Sequence, residues 1–321
     1  MEQRVVGASG LRVSEIGLGT MTWGRDTDAL DAEAMLTDFL DSGGTLVDTA
    51  PGYGDGAAEE IIGGMLAGGI PRHELVIATK AGVRIARSGR PEVDASRGTI
   101  LSSLDASLAR LGTDHVDLLL VQAPDPGTPL EETADALERA VTSGRARYVG
   151  VSNFAGWQCA ALAGSLGRTG LTAVEHEYSL LVRGVEREVV PAALGLGFGL
   201  LAWSALGRGV LTGKYRNSTP ADSRGASPHL RAFVAPLLTD RSFGIVESVV
   251  RAAEGLEAHP AEVALAWVLR RRGLASAIIG PRTPGQLRTL LASDLEVPRP
   301  LLDALDDVSA PPIGYPERPR T

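Results

Sequence analysis

Residues 45–53 read TLVDTAPGY. This pattern predicts a short buried strand that ends at Asp48 and runs into a tight loop carrying Tyr53. A further predicted strand, VIATK at residues 76–80, ends on Lys80. If the two strands are neighbours in a parallel sheet, the three polar side chains meet above the carboxyl ends of the strands, where barrels carry their catalytic groups.

The same alternation of strand and helix recurs along the whole chain. Candidate strands lie at 16–19, 45–48, 76–80, 116–122, 148–152, 173–177, 200–204 and 277–280. Helical segments lie at 29–42, 57–66, 96–111, 130–143, 156–166, 185–194, 240–272 and 284–292, with a helix start at His259-Pro260 within the stretch 240–272. Eight such units favour a closed (β/α)8 TIM barrel, an α/β fold, and a hairpin over residues 4–16 is expected to close its bottom. A doubly wound open sheet is the alternative fold, although no GxGxxG turn follows the first strand.

Composition narrows the class of protein. Of 321 residues, 44% are hydrophobic and the formal net charge is −8, which favours a globular chain and disfavours nucleic acid or anionic membranes as partners. A single cysteine and the absence of metal-ligand spacing predict no disulfide and no metal site, and a cytoplasmic location fits. We expect one barrel domain over 1–321, with a long loop or lid at 214–240 and an irregular tail at 310–321.

The residue types at the strand ends suggest acid–base chemistry. A phenol with a pKa of ~10 is a weak acid near neutral pH, so Tyr53 needs a nearby ammonium to ease its ionisation. Lys80 is the candidate ammonium, and Asp48 would hold it in place. The residues alone leave a second interpretation open, in which Asp48 and Lys80 form a structural ion pair and Tyr53 lines a pocket.

Seven motifs together resemble the aldo-keto reductase superfamily, in the branch that includes potassium-channel β subunits and bacterial reductases. They are GLGTMTWG (17–24), DTAPGYGDGAAEEIIG (48–63), VIATKAG (76–82), VGVSNF (149–154), EHEYSLL (175–181), WSALGRGVLTGKY (203–215) and IIGPRTPGQL (278–287). The resemblance implies a (β/α)8 barrel and NADPH-dependent reduction of aldehydes and ketones. It implies Tyr53 as the general acid, Lys80 as the group that lowers the phenol's pKa, and Asp48 as the partner of Lys80.

The fourth catalytic residue implied by the resemblance is a His at the end of strand four, where this chain has Gln122. An amide can donate a hydrogen bond to a carbonyl oxygen but cannot titrate. Three functions therefore stay open. We favour an NADP-dependent oxidoreductase acting on a carbonyl (CH-OH) group, such as a sugar or polyketide ketone in secondary metabolism. The others are reduction of an activated C=C bond and a cofactor-binding regulatory subunit with little turnover.

The resemblance also implies a site for NADPH. Its candidate residues are Gly19, Thr20, Ser152, Asn153, Glu175, Trp203, Ser204, Leu206, Arg208, Gly209, Lys214, Gly280, Arg282, Thr283 and Gln286. Glu175 stands where a Gln usually contacts the nicotinamide carboxamide. Because an ionised carboxylate only accepts hydrogen bonds, Glu175 would have to accept a hydrogen bond from the amide NH2.

Trp23 and Phe154 are candidates for an apolar substrate wall, with a barrel-mouth plug as the alternative for Trp23. The resemblance allows a homo-oligomer.

Overall fold

The computed structural model describes residues 1–85, 91–312 and 314. The strands in chain order are β1 Gln3–Val5, β2 Arg12–Ser14, β3 Ile16–Gly19, β4 Leu46–Asp48, β5 Val76–Ala81, β6 Val83–Ile85, β7 Pro91–Val93, β8 Val116–Val121, β9 Ala146–Ser152, β10 Ala173–Glu177, β11 Gly199–Trp203 and β12 Leu274–Ile279. The helices are α1 Ala29–Asp41, α2 Ala57–Ala67, α3 Arg97–Leu111, α4 Leu130–Thr142, α5 Gly156–Ser165, α6 Val189–Leu196, α7 Arg231–Val234, α8 Asp240–Gly255, α9 Pro260–Leu269, α10 Pro284–Leu291 and α11 Arg299–Ser309.

Eight of these strands form a closed parallel barrel. Its order is β3-β4-β5-β8-β9-β10-β11-β12, and β12 pairs with β3 to complete the ring. The predicted barrel is confirmed, with strand bounds within a few residues of those expected. The alternative prediction of an open doubly wound sheet is wrong. Strands β4 and β5 pair directly, as the meeting of their carboxyl ends requires.

The amino-terminal hairpin closes one end of the barrel, as predicted. β1 and β2 pair antiparallel. Val6 follows β1, Leu11 precedes β2, and Val13 lies within β2. All three side chains are buried in the same core cluster as Leu46 and Leu118 of the barrel strands. Burial of these apolar side chains at the amino ends leaves the carboxyl ends of the strands for polar chemistry.

The period of two along each strand decides which polar residues face the barrel interior. The core cluster includes Leu46 of β4, Ala78 of β5, Leu120 of β8 and Ala173 of β10. Side chains two positions further along a strand face the same side. Those positions are Asp48, Lys80, Gln122 and Glu175. The apolar layer of the core is thus followed, towards the carboxyl ends, by a polar layer.

The chain divides into two compact units. The barrel unit comprises Met1–Glu177, Arg187–Trp203 and Arg272–Ser293, and contains the barrel, the hairpins β1–β2 and β6–β7, and helices α1 to α6 and α10. The helical unit comprises Tyr178–Glu186, Ser204–Arg271 and the described residues from Asp294 onward, with α7, α8, α9 and α11. The single-domain interpretation of the sequence stays a prediction.

Within the helical unit, the predicted helical stretch 240–272 consists of two helices. The helix start read at His259-Pro260 is confirmed: His259 Nδ1 accepts from Ala261 N at 3.1 Å, and Glu262 Oε2 accepts from His259 N at 2.7 Å. This reciprocal capping and a proline in the first turn separate α9 from α8. Glu257, with φ 52°, lies in the turn between them.

Several elements were not expected from the sequence. They are the hairpin β6–β7, the four-residue helix α7 and helix α11. In the segment 214–240, Tyr215 is buried and its hydroxyl accepts from Gly225 N at 3.0 Å, while a lid function for this segment stays a prediction. Of the predicted irregular tail, residues 313 and 315–321 lie outside the described residues, and 310–312 and 314 carry no helix or strand.

Candidate active site

Tyr53 is held by a tight turn directly after β4. It begins the single-turn 3-10 helix Tyr53–Gly56, and its amide donates to Ala50 O at 3.0 Å. Gly54 has φ 57°, and a Cβ there would lie 2.8 Å from Trp23 O, so only glycine fits. The turn therefore packs against the loop after β3, which fixes the place of the Tyr53 phenol.

Glu59 ties the Tyr53 turn to the strand that carries Lys80. It lies in the first turn of α2 and is completely buried. Thr79 Oγ1 donates to Glu59 Oε1 at 2.5 Å, and Arg110 Nε donates to Glu59 Oε2 at 2.7 Å. Both carboxylate oxygens are therefore satisfied, and the sequence reasoning missed this anchor.

Three buried charged side chains, Asp48, Lys80 and Glu175, form what we call the site cluster. Lys80 Nζ donates to Asp48 Oδ1 at 2.5 Å and to Thr49 O at 3.3 Å. The same Nζ lies 3.4 Å from Glu175 Oε2 and 5.4 Å from the centroid of the Tyr53 ring. The structure thus brings the predicted Asp48, Tyr53 and Lys80 together and adds a carboxyl that reaches Lys80 from β10.

Burial and charge oppose each other in the pKa values of this site. Burial raises the pKa of Tyr53 above its ordinary value, and Asp48 and Glu175 add to the rise, while Lys80 lowers it. Lys80 therefore acts in the predicted direction without setting the net result. Burial lowers the pKa of Lys80, but the charges of Asp48 and Glu175 outweigh it, so the ammonium persists at neutral pH.

Asn153 joins three strand ends around the mouth of the barrel. Its Nδ2 donates to Gln122 O and to Ser152 Oγ, both at 3.0 Å. Its Oδ1 accepts from Trp203 Nε1 at 3.1 Å. With φ 65°, Asn153 holds a left-handed backbone conformation that asparagine tolerates better than most residues. The side chain therefore orients Trp203, a contact that sequence reasoning did not foresee.

Gln122 directly follows β8, at the strand end where a catalytic group is expected. Its backbone amide donates to Ala81 O at 2.9 Å, which continues the pairing of β8 with β5. The side chain is partly exposed. Within residues 1–85, 91–312 and 314 the side-chain amide of Gln122 makes no hydrogen bond, so this group is available to a ligand.

Known proteins with similar sequences match almost the whole chain. The profile of the Aldo/keto reductase family matches residues 15–299. The chain belongs to the aldo/keto reductase family. It is 39% identical over 327 residues to an "Uncharacterized oxidoreductase YrpG" of Bacillus subtilis, with 98% of each chain covered.

Two further relatives carry more specific names. An "L-glyceraldehyde 3-phosphate reductase" of Escherichia coli K12 is 34% identical over 297 residues, which cover 89% of this chain and 86% of the relative. A "Probable voltage-gated potassium channel subunit beta" of Oryza sativa subsp. japonica is 33% identical over 326 residues, with 99% and 98% covered. This aldo/keto reductase is an oxidoreductase that reduces carbonyl or similar substrates, and the family typically uses nicotinamide cofactors.

The remaining predicted residues near the barrel mouth are mostly packed. Gly19 ends β3, and the next residue, Thr20, donates through N and Oγ1 to Asp48 O, both at 3.0 Å. Trp23 is completely buried and Phe154 is 1% exposed. Both aromatic side chains therefore belong to the packed interior of the barrel unit, and a part for either in a substrate wall stays a prediction.

In the barrel unit, the loop after β12 has the features expected for a phosphate site. Thr283 caps α10, its Oγ1 accepting from Gln286 N at 3.4 Å, and Pro284 occupies the first turn. Gln286 Oε1 accepts from Arg282 N at 2.9 Å. Gly280 begins this loop. A helix amino terminus beside an arginine suits an anion, because the amides and the helix dipole both favour negative charge.

In the helical unit, the predicted pyrophosphate loop has an unusual backbone. Gly207, Arg208 and Gly209 have φ values of 57°, 56° and 91°, three left-handed residues in succession. Lys214 Nζ would lie 3.3 Å from a Cβ placed at Gly209. Arg208 lies over the Phe233 ring, 4.2 Å from its centroid. Ser204 and Leu206, which precede this turn, accept backbone hydrogen bonds from Gly207 and Gly209.

In the described part of the chain, no group of three or more His, Cys, Asp and Glu side chains is arranged to hold a metal ion. None of the helices in that part combines the length and apolar character needed to cross a membrane.

Proposed function

We propose that this aldo/keto reductase is an NADPH-dependent reductase of a ketone or aldehyde in which Tyr53 donates the proton. The observation that carries the proposal is the place of the Lys80 ammonium. It is fixed by Asp48 at 2.5 Å and lies 5.4 Å from the centroid of the Tyr53 ring. A cation so placed offsets the negative charge that develops on the phenol as it gives up its proton.

Each polar side chain of the site has one part in this chemistry. Bound NADPH would supply the hydride. Tyr53 protonates the carbonyl oxygen, Lys80 stabilises the resulting phenolate, and Asp48 keeps Lys80 in place. Gln122 donates an amide hydrogen bond to the carbonyl oxygen, which polarises the substrate without proton transfer.

The donor groups present fit NADPH. Around the barrel mouth, Trp203 is oriented by Asn153, which suits stacking on a flat ring. Arg282 beside the amino terminus of α10 suits the adenosine 2′-phosphate, which favours NADP over NAD. Taken by itself, the left-handed turn of the helical unit, with Arg208 and Lys214, suits an anion.

The test is NADPH consumption with a panel of small ketones and aldehydes. We expect Tyr53→Phe to lower turnover by roughly 10²–10⁴-fold, the usual contribution of a positioned general acid. Its NADPH binding, followed by quenching of tryptophan fluorescence, should be unchanged. Tyr148→Phe is the matched control, because Tyr148 packs against the apolar core of the barrel. Full activity in Tyr53→Phe would refute the proposal.

Product analysis in the same assay separates the two other functions. A C=C reductase would saturate an enone and leave its ketone intact. The name of the Oryza sativa relative favours a regulatory subunit as second candidate, and such a subunit would bind NADPH without turnover above background. Gln122→His should raise carbonyl turnover, and an unchanged or lower rate would contradict the polarising part that we give Gln122.

A further inference from the structure

The site cluster has an excess of negative charge if all its groups are ionised. One ammonium, on Lys80, lies beside two carboxyls, on Asp48 and Glu175. The side chains of all three are at most 4% exposed. A net buried charge is strongly unfavourable in a protein interior, and one additional proton removes it.

The contacts of the two carboxyls show which of them holds that proton. Asp48 Oδ1 accepts a hydrogen bond from Lys80 Nζ at 2.5 Å. Glu175 Oε2 lies 3.4 Å from the same Nζ and has no hydrogen-bond partner within the residues described, and Glu175 Oε1 lies at 3.5 Å from Ser152 Oγ. Because a buried carboxylate oxygen needs donors, the poorly solvated Glu175 is the carboxyl that gains most from being neutral.

The groups that face Glu175 support this assignment. Lys80 from β5, Asp48 from β4 and Tyr53 from the following turn are the titratable groups that act on it. The strands paired with β10 present Ser152 and Leu201 in register with Glu175, and neither is charged. Burial and the charge of Asp48 raise the pKa of the Glu175 carboxyl to about 8, although Lys80 lowers it.

We propose that Glu175 is a neutral carboxylic acid in the resting protein and returns a proton to Tyr53, through Lys80, after Tyr53 has protonated the substrate. This inference rests on the proposed function, in which Tyr53 is the acid. It gives the site a titratable group that Gln122 does not provide. Glu175 acts through Lys80, so it is a positioning and proton-supplying residue rather than one that touches the substrate.

The step balances without a further reactant. The Tyr53 phenolate takes a proton from the Lys80 ammonium, so one N–H bond breaks as the O–H bond forms. Lys80 takes the proton of Glu175, so a new N–H bond forms as the Glu175 O–H bond breaks. No electrons change hands, and Glu175 is left as a carboxylate beside the Lys80 cation until it takes up a proton from water. Since the phenol's pKa is above its ordinary value and that of Glu175 is about 8, the transfer is downhill.

The resting state is tested by infrared spectroscopy on the protein alone, with no cofactor or substrate. We expect the C=O stretch of a protonated carboxylic acid at neutral pH, which disappears as the pH rises through about 8 and is absent from Glu175→Gln. Glu177→Gln, two residues along the same strand, is the matched control and should keep the band. Identical spectra for wild type and Glu175→Gln would overturn the proposal, whatever the enzyme reduces.

The proton return is tested by comparing the first turnover with later ones. Glu175→Gln keeps the shape of the neutral acid but cannot release a proton, so later turnovers should be slowed much more than the first. Steady-state kcat should fall by roughly 10²-fold with little change in KM, and Glu175→Asp should restore part of it. An unchanged kcat, or equal slowing of the first turnover, would overturn the proposal. Because Tyr53→Phe is assayed separately, failure of the proposed function would be recognised independently.

Discussion

The barrel unit and the helical unit each contain a cluster of charged side chains, and the two clusters differ in charge balance. The site cluster sets one cation against two carboxyls. The cluster in the helical unit, which we call the arginine cluster, sets Arg183 and Arg271 against Glu186 and Asp306. Two cations thus face two anions, and no additional proton is needed.

The groups of the arginine cluster are also joined by hydrogen bonds. Arg183 donates to both oxygens of Glu186, at 2.8 and 2.9 Å. Arg271 donates to both oxygens of Asp306, at 2.8 and 3.0 Å, and lies 4.2 Å from the centroid of the Trp267 ring. The Arg183–Glu186 pair is bidentate, Arg271 uses Nη1 for both oxygens of Asp306, and stacking of a guanidinium on an indole adds to the stability of such pairs.

The difference indicates what each cluster is for. A balanced, hydrogen-bonded network of charges fixes one structure. In the described part of the chain, the site cluster keeps an oxygen of Glu175 without a hydrogen bond, and it has one carboxyl in excess. Buried groups in such an environment have displaced pKa values, which is a property of sites that move protons.

Removal of the cation from the site cluster is the largest expected effect. Lys80→Met should lower the steady-state turnover by about 10²–10⁴-fold, because the phenolate of Tyr53 loses the charge that stabilises it. The measurement is kcat at saturating substrate, with circular dichroism to check the fold. Turnover within a few-fold of wild type would show that the imbalance has no bearing on catalysis.

Removal of a cation from the arginine cluster should act on stability instead. Arg271→Met removes the guanidinium that donates to both oxygens of Asp306, and we expect the free energy of unfolding to fall by about 3 kcal/mol, the low end for breaking a buried ion pair. The low end applies because the Arg271 and Asp306 side chains are 17% and 32% exposed. Denaturation in urea measures it, and a change below about 1 kcal/mol would contradict a structural function of the cluster.

The smallest effect, counted per pH unit, is a difference in the pH dependence of stability. Burial and the charge of Asp48 raise the pKa of Glu175 from its ordinary value of 4.5 to about 8 in the folded protein, so between these values the folded state binds one proton more than the unfolded state. The free energy of unfolding of wild type should therefore fall as pH rises through this window, by up to about 1.4 kcal/mol per pH unit relative to Glu175→Gln. Parallel curves for the two proteins, from urea denaturation at each pH, would contradict a neutral Glu175.

Much of the candidate site could be predicted from local sequence pattern. The residues and contacts that were not predicted carried either a weak local signal or none. Asp48 and Lys80 end predicted strands, so the sequence alone predicts that both lie at the carboxyl ends of the barrel strands. Glu59 carried a weak signal, an acid between buried Ala58 and Ile62 on the inner face of a helix. The partners of Asn153 carried none, since its contacts lie on β8 and β11, far apart in the chain.

The sequence by itself determined the alternation of strands and helices, the family, and the facing of Asp48, Lys80 and Glu175 towards the barrel interior, because strand period and turn signals are local. Only the tertiary structure decided that Glu175 shares the ammonium of Lys80. β8 and β9 separate β10 from β5 in the barrel order, so this contact arises only when the sheet closes on itself. Closure fixes which inward side chains meet across the interior, and no local pattern encodes that pairing.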